Sequence, residues 1–210
     1  DKNKVIQLAM NGKGTPIYTN MSPVMSKFLW AAPEEKADPQ KAKQILEEKK
    51  LLPIKFTLKV PNSSKIYLDT AQSIKEQLKE VGITVDLEII EWATWLSDVY
   101  TNRKYEASLA GLAGKMEPDA ILRRYTSTYA KNFTNFNNPK YDALIEEAKR
   151  TSNEAKQVEN YKEAQKILAE EQAAIFLMDP NTIIATEKGL EGFEFYPLPY
   201  FNFAKLYFKK

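Results

Sequence analysis

Across residues 54–90 the hydrophobic pattern changes period twice, and that change decides what the chain is able to fold into. Ile54, Phe56, Leu58 and Val60 alternate with Lys55, Thr57 and Lys59, the period of two that a strand imposes on its side chains. The spacing then lengthens. Ile66, Ala71, Ile74, Leu78 and Val81 share one face of a helix and leave Lys75, Glu76, Lys79 and Glu80 to solvent. Gly82 follows the last periodic residue, where a left-handed C-terminal position favours glycine. After it Ile83, Val85, Leu87 and Ile89 alternate with Thr84, Asp86, Glu88 and Ile90. Strand, helix and strand with short connections make a βαβ unit, whose two strands lie parallel in one sheet. The predicted class is α/β.

Composition narrows the chemistry. A chain of 210 residues with 43% hydrophobic content sustains one good core. The net charge is only +2, with both signs mixed along every helical segment, a poor profile for a nucleic-acid binder. Cysteine and histidine are both absent, which removes thiol nucleophiles, disulfides, the usual zinc sites and imidazole as a general base. A lysine or carboxylate mechanism stays open, although the acidic residues are spread along helix faces. No run approaches the ~20 apolar residues a membrane span needs.

The other segments read as follows. Residues 1–12 form an amphipathic helix ending at Asn11-Gly12, and a chain that opens inside a folded element is expected to be part of a longer one. Residues 12–23 are a turn-rich loop. Asp38 caps a second helix with Pro39 at its first position. Residues 92–100 read as a short helix with Trp95, Leu96 and Val99 inward. Residues 105–112 read as a strand that runs into Gly111, Gly114 and the loop before Pro118-Asp119, which open another helix. An asparagine-rich loop precedes two periodic helices at 139–150 and 153–172, the second presenting Val158, Tyr161, Ala164, Ile167 and Leu168 on one face. Residues 174–178 read as a short buried strand.

The order GKGTP…SP, DPQKAKQILEEK, AQSIKEQLKEVGITVDLEIIEW, EPDAILRRYTS, NFNNPKYDALIEEA and NYKEAQKILAEEQAAIFLM resembles the C-terminal half of the family 5 solute-binding proteins. These are extracytoplasmic receptors of ABC importers for dipeptides, oligopeptides, nickel chelates and similar solutes. The resemblance runs from Asp1 to about Gly192. It implies a type II periplasmic-binding-protein-like α/β lobe over residues 1–190, a mixed sheet with a parallel βαβ core flanked by the helices at 66–81, 139–150 and 153–172. It implies that residues 191–210, crowded with Phe193, Phe195, Tyr196, Tyr200, Phe201, Phe203, Tyr207 and Phe208, return to a first lobe that precedes this one. The partners implied are a peptide or other small solute, the ABC permease subunits and that first lobe; no cofactor, metal, nucleic acid or catalysis is implied. The place implied is outside the cytoplasm, periplasmic or anchored by lipid at the cell surface. A peptide-sensing or chaperone-like relative would look the same in sequence, and an enzyme would need carboxylates converging in one pocket.

Ligands of open α/β sheets sit at the carboxyl ends of the strands, and the strand 105–112 delivers the loop 113–118 to such an edge. The resemblance sets the candidates as Trp92 and the stretch Gly111, Leu112, Ala113, Gly114, Lys115 and Met116. Trp92 matches a tryptophan that lines the cleft in the family this chain resembles. In its peptide-binding members the loop after a Gly-Trp pair carries an aspartate that holds the ligand's free amine. Here Leu112 stands at the tryptophan position and Lys115 nearest the aspartate position, in a loop one residue shorter. A lysine repels an ammonium group, so the departure points to solutes without a free amine there. Trp95 is expected in the core, Arg123 or Arg124 paired with Asp119 or Glu117, and Asn135 and Asn137 as ordinary loop residues.

Overall fold

Helix boundaries are written by short polar side chains, and the five longer helices each open on one. The computed structural model describes residues 1–34, 36–196 and 200–209. In chain order its elements are α1 (Lys2–Met10), β1 (Gly14–Pro16), α2 (Pro39–Glu48), β2 (Ile54–Pro61), α3 (Lys65–Glu80), β3 (Ile83–Ile90), α4 (Trp92–Trp95), β4 (Ala107–Ser108), α5 (Pro118–Leu122), α6 (Pro139–Arg150), α7 (Glu154–Glu170), β5 (Met178–Pro180), β6 (Leu190–Glu191) and β7 (Tyr207–Phe208). Asp1, Asp38, Ser64, Asn138 and Asn153 each accept a hydrogen bond from a backbone N–H of the first turn of α1, α2, α3, α6 and α7, satisfying a donor that the helix cannot. Gly82 takes a φ of +86° between α3 and β3, a conformation that a side chain opposes.

The βαβ unit forms as read. β2 pairs parallel with β3 from Ile54↔Ile83 to Pro61↔Ile90, and β4 adds parallel on the other side of β2, for the order β3-β2-β4. One sheet face packs Phe56, Leu58, Val60, Val85 and Leu87 against Ala71, Ile74 and Leu78 of α3. Each fully buried aliphatic side chain contributes about 1.5–3 kcal/mol. The opposite face is polar, with Lys55 on Asp86 at 2.8 Å and Lys59 on Glu88 at 3.5 Å.

A second core forms where α6 and α7 pack on each other and on α5 around Leu122, Tyr125, Tyr141, Ile145, Tyr161, Ala164 and Leu168. Tyr141 donates its hydroxyl proton to Leu122 O at 2.6 Å. Fully buried Gln165 accepts from Thr19 Oγ1 and Trp30 N, and donates to Phe28 O and Tyr161 O, at 2.7–3.2 Å. One amide thus staples the 19–30 loop to α7 with every valence used.

The structure corrects several expectations. α6 and α7 build that separate core rather than flanking the sheet, because their apolar faces meet α5 and each other. The antiparallel pairs β1-β5 and β6-β7 form separate two-stranded ladders beside the parallel sheet. The strand expected at 105–112 shrinks to Ala107–Ser108: the Glu106 carboxylate takes the Thr57 N–H, and beyond Leu109 the backbone leaves the ladder. The strand expected at 174–178 survives only at Met178, since β1 offers three partners and pairs with Met178, Asp179 and Pro180; Ile175 is 76% exposed. Residues 92–100 split into α4 and a π-helical turn over Leu96–Thr101. Trp95 and Val99 are buried there, but Leu96 faces out, about 100° round the helix from Trp95. The helix α2 forms as expected and buries none of its residues.

Candidate functional site

Because β2, β3 and β4 run parallel, their carboxyl ends deliver three loops to one edge. β2 ends into Asn62 and the capped start of α3, β3 into Glu91 and Trp92, and β4 into residues 109–117. Asn62 ties the first two together, its N–H donating to Ile90 O at 2.9 Å and its Nδ2 to Glu91 Oε1 at 2.5 Å.

Trp92 lies flat on Trp95, ring centres 4.9 Å apart and planes within 4°. Trp95 is buried as expected and keeps its polar edge satisfied: Nε1 donates to Ser108 Oγ at 2.9 Å, and Ser108 Oγ donates to Lys59 O at 2.9 Å. Tyr100 and Phe133 pack against Trp95. The Lys59 ammonium lies 3.5 Å from Asp98 on the π turn and 3.5 Å from Glu88. Trp92 is therefore held from beneath by a fixed stack while 38% of its surface stays open.

The candidate loop is exposed from Gly111 through Met116. Gly111 N donates to the Tyr67 hydroxyl at 3.3 Å, and Arg124 Nη2 donates to Ala113 O at 3.2 Å. Leu112 and Met116 expose 44% and 63% of their surface, and a β-carbon at Gly114 would meet nothing within 4 Å. Lys115 stands at the exposed tip. The structure thus brings Trp92 and the loop to the same sheet edge. Arg123 pairs with Asp119 at 3.6 Å, the structural partner expected for it, while Arg124 holds loop backbone instead.

Sequence reading missed the anchors. Nothing local marks Tyr67, in the first turn of α3, or Arg124 as reaching the loop. It also missed Asn132, whose buried amide donates to Tyr125 O, Thr126 O and Phe136 O. Arg103 adds donors to Ala130 O and Asn132 O, and the Tyr105 hydroxyl donates to Phe133 O. Burial raises the Tyr105 phenol above its ordinary value, with Arg103 opposing. Of the loop's asparagines, Asn132 thus holds the loop and Asn138 caps α6, while Asn135 adopts a φ of +57°.

The parallel sheet edge is thus open, with an aromatic platform and a glycine-bearing loop on it. The family model described as bacterial extracellular solute-binding proteins, family 5 Middle, matches residues 1–133, and the chain belongs to that family. It is 27% identical to the oligopeptide-binding protein AppA of Bacillus subtilis over 94% of its own length and 40% of that protein's. It is 28% identical to the peptide transport periplasmic protein SapA of Haemophilus influenzae over 91% of its length and 37% of that protein's. The chain thus spans about two fifths of the length of these relatives. The structure of AppA in complex with a nonapeptide superposes with a TM-score of 0.81 at 27% identity, covering 100% of this chain and 45% of that one. A dipeptide-binding protein from Pseudoalteromonas sp. SM9913, in complex with Met-Leu, shares the fold with a TM-score of 0.83 at 22% identity, over 100% of this chain and 43% of that one. No helix among the described residues is long and apolar enough to cross a membrane.

Proposed function

We propose that this chain is the ligand-binding second lobe of an ABC-importer receptor, working outside the cytoplasm, that captures a peptide or similar solute against a first lobe and presents it to a membrane permease. The observation that carries the reading is the shared sheet edge of Trp92 and the exposed loop Gly111 to Met116. Family membership and the peptide-binding names of the relatives support it. Residues 1–190 supply the lobe and 191–210 the return toward the first lobe; of the latter, 197–199 and 210 lie outside the described residues. Binding without chemistry is the mechanism: ligand shifts an open–closed equilibrium by its greater affinity for the closed state.

Lys115 gives that reading a chemical preference. In a closed, partly dry cleft a like-charge contact costs far more than in water, so the receptor favours solutes lacking a free ammonium at this position. Matched free and N-acetylated peptides, titrated calorimetrically into the full-length receptor and its Lys115→Asp variant, test both levels. The expected result is tighter binding of the acetylated series by wild type and a swing of about tenfold toward free amines in the variant, which is about 1.4 kcal/mol. Absence of binding for every peptide sinks the functional reading; indifference of wild type and variant to acetylation sinks the role of Lys115 alone.

A further inference from the structure

The loop carrying six of the seven candidate residues owes its position to two distant side chains. Among the described residues, only the Tyr67 hydroxyl and the Arg124 guanidinium hydrogen-bond the backbone of residues 111–113 from outside the loop, at 3.3 Å to Gly111 N and 3.2 Å to Ala113 O. The two anchors stand beside different cores. Tyr67 is half-buried on α3 against the sheet, and Arg124 is half-buried in the 3-10 turn Arg123–Tyr125 beside the helical core. The loop is thus a strap fastened once to each half of the lobe, with Gly114, Lys115 and Met116 exposed beyond the second fastening.

Gly111 shows how close the first contact is. A β-carbon there would stand 2.8 Å from Tyr67 Oη and 3.3 Å from Cε1, nearer than packed atoms settle, so glycine is what lets the backbone reach the hydroxyl. Arg124 is a planar, multi-donor group that holds a carbonyl directionally, which a lysine's rotating ammonium does not reproduce.

Resting on the peptide reading of this edge, we propose that Tyr67 and Arg124 are positioning residues for ligand binding: they pre-set the backbone of residues 111–113 and so aim the tip at Lys115 without touching the ligand. A loop already ordered in the free protein spares the ligand the cost of ordering it. Removing either anchor transfers that cost to each binding event, and affinity falls while the fold stands.

The test uses the full-length receptor as wild type, Tyr67→Phe, Arg124→Gln, Gly111→Ala and the double variant Gly111→Ala with Tyr67→Phe. Three quantities are read: amide hydrogen exchange over residues 109–117, the thermal midpoint, and calorimetric affinity for alanine peptides of two to nine residues, free and N-acetylated. Each anchor variant is expected to exchange faster within the loop only, to keep its midpoint within about 2 °C, and to bind roughly three- to tenfold more weakly. Gly111→Ala alone is expected to be worse than Tyr67→Phe, and removing the hydroxyl beneath it to recover part of the loss, a coupling that independent sites do not show. Unchanged loop exchange and affinity in both anchor variants overturn the inference. So does a lowered midpoint with faster exchange throughout the sheet, which marks a merely structural role. A wild type that binds none of these peptides overturns the peptide reading and the inference with it; a binding wild type with unaltered variants overturns the inference alone.

Discussion

Two stretches of this chain are rich in large apolar side chains and meet opposite fates. In α6 and α7, Tyr141, Ile145, Tyr161, Ala164, Ile167 and Leu168 are at most 5% exposed. In the C-terminal ribbon Phe195, Tyr200, Phe201, Phe203, Tyr207 and Phe208 expose between 44% and 71% of their surface. The helices repeat their apolar residues at three and four, so one stripe faces one neighbour. The ribbon carries most of its aromatics in the connection between two strands of two residues each, Leu190–Glu191 and Tyr207–Phe208, and its described rings stay largely open. Its rings pair mainly among themselves, Phe193 with Phe195 at 5.1 Å and with Phe201 at 5.6 Å, and Tyr196 with Tyr200 at 5.1 Å. Polar clasps hold its geometry: Lys205 on Glu194 at 2.7 Å and the Tyr207 hydroxyl on Glu191 at 3.1 Å. Apolar content sets how much surface wants cover, whereas partner geometry decides whether it finds any. The ribbon's uncovered aromatics are what the proposed return to a first lobe would bury.

The contrast yields a graded set of expectations. The largest concerns Ile145→Ala, in the helical core at 1% exposure; it should cost about 2–5 kcal/mol in chemical denaturation. A cost below about 1 kcal/mol would mean that this core is loosely packed and the comparison empty. Next, Gln165→Leu removes the staple between α7 and the 19–30 loop; water can reach the part-buried Trp30 N and Phe28 O, so the loss is about 1–3 kcal/mol, that of the one buried group stranded, Thr19 Oγ1. Hydrogen exchange at Trp30 should rise with it, and slow exchange there in the variant would show that other contacts hold the loop.

Alkaline pH sharpens the comparison differently. Burial pushes the phenols of Tyr125 and Tyr161 up to about 12, with Asp119 and Glu117 adding to the shift at Tyr161, and raises Tyr141 well above its ordinary value. A phenol whose folded pKa exceeds its unfolded value of about 10 contributes stability that is complete below that value and is lost as pH climbs through the folded one. Stability should therefore fall between about pH 10 and 12, measured as the urea midpoint against pH. A midpoint flat over that window would show that these hydroxyls meet water in the fold. The smallest expected effect lies in the ribbon. Phe203→Ser, at a residue 71% exposed, should leave the stability of the isolated lobe within about 0.5 kcal/mol while reducing its binding of a hydrophobic dye. A loss comparable to that of Ile145→Ala would show that the ribbon is packed in solution.

Legibility along the chain followed the range of the interactions. The cap at Asp38 acts on an N–H three residues away, and the helix read from it opens at the expected Pro39; Ser64 and Asn153 act over the same short range. The register β2-β3 was implicit in matched alternation on both sides of α3. Strand ends were not legible in the same way. β4 starts only after Glu106, 49 residues from Thr57, whose carboxylate takes a backbone donor, and β5 starts where β1 happens to offer a partner. Trp92 and the loop 111–116 share an edge because parallel strand order brings carboxyl ends together. Their anchors were not legible, since Tyr67 reaches Gly111 across 44 residues.

The residues by themselves determined the α/β class, the parallel βαβ unit and the helix starts, because each rests on a local period or a side chain bonding its own turn. Only the tertiary structure decided that α6 and α7 form a core apart from the sheet, that Trp92 is stacked rather than buried, and that two side chains beside separate cores hold the candidate loop. The separate cores and the Tyr67 anchor, 44 residues from Gly111, depend on which surfaces meet after the chain has folded back on itself, and no local pattern encodes a contact whose partner lies that far away.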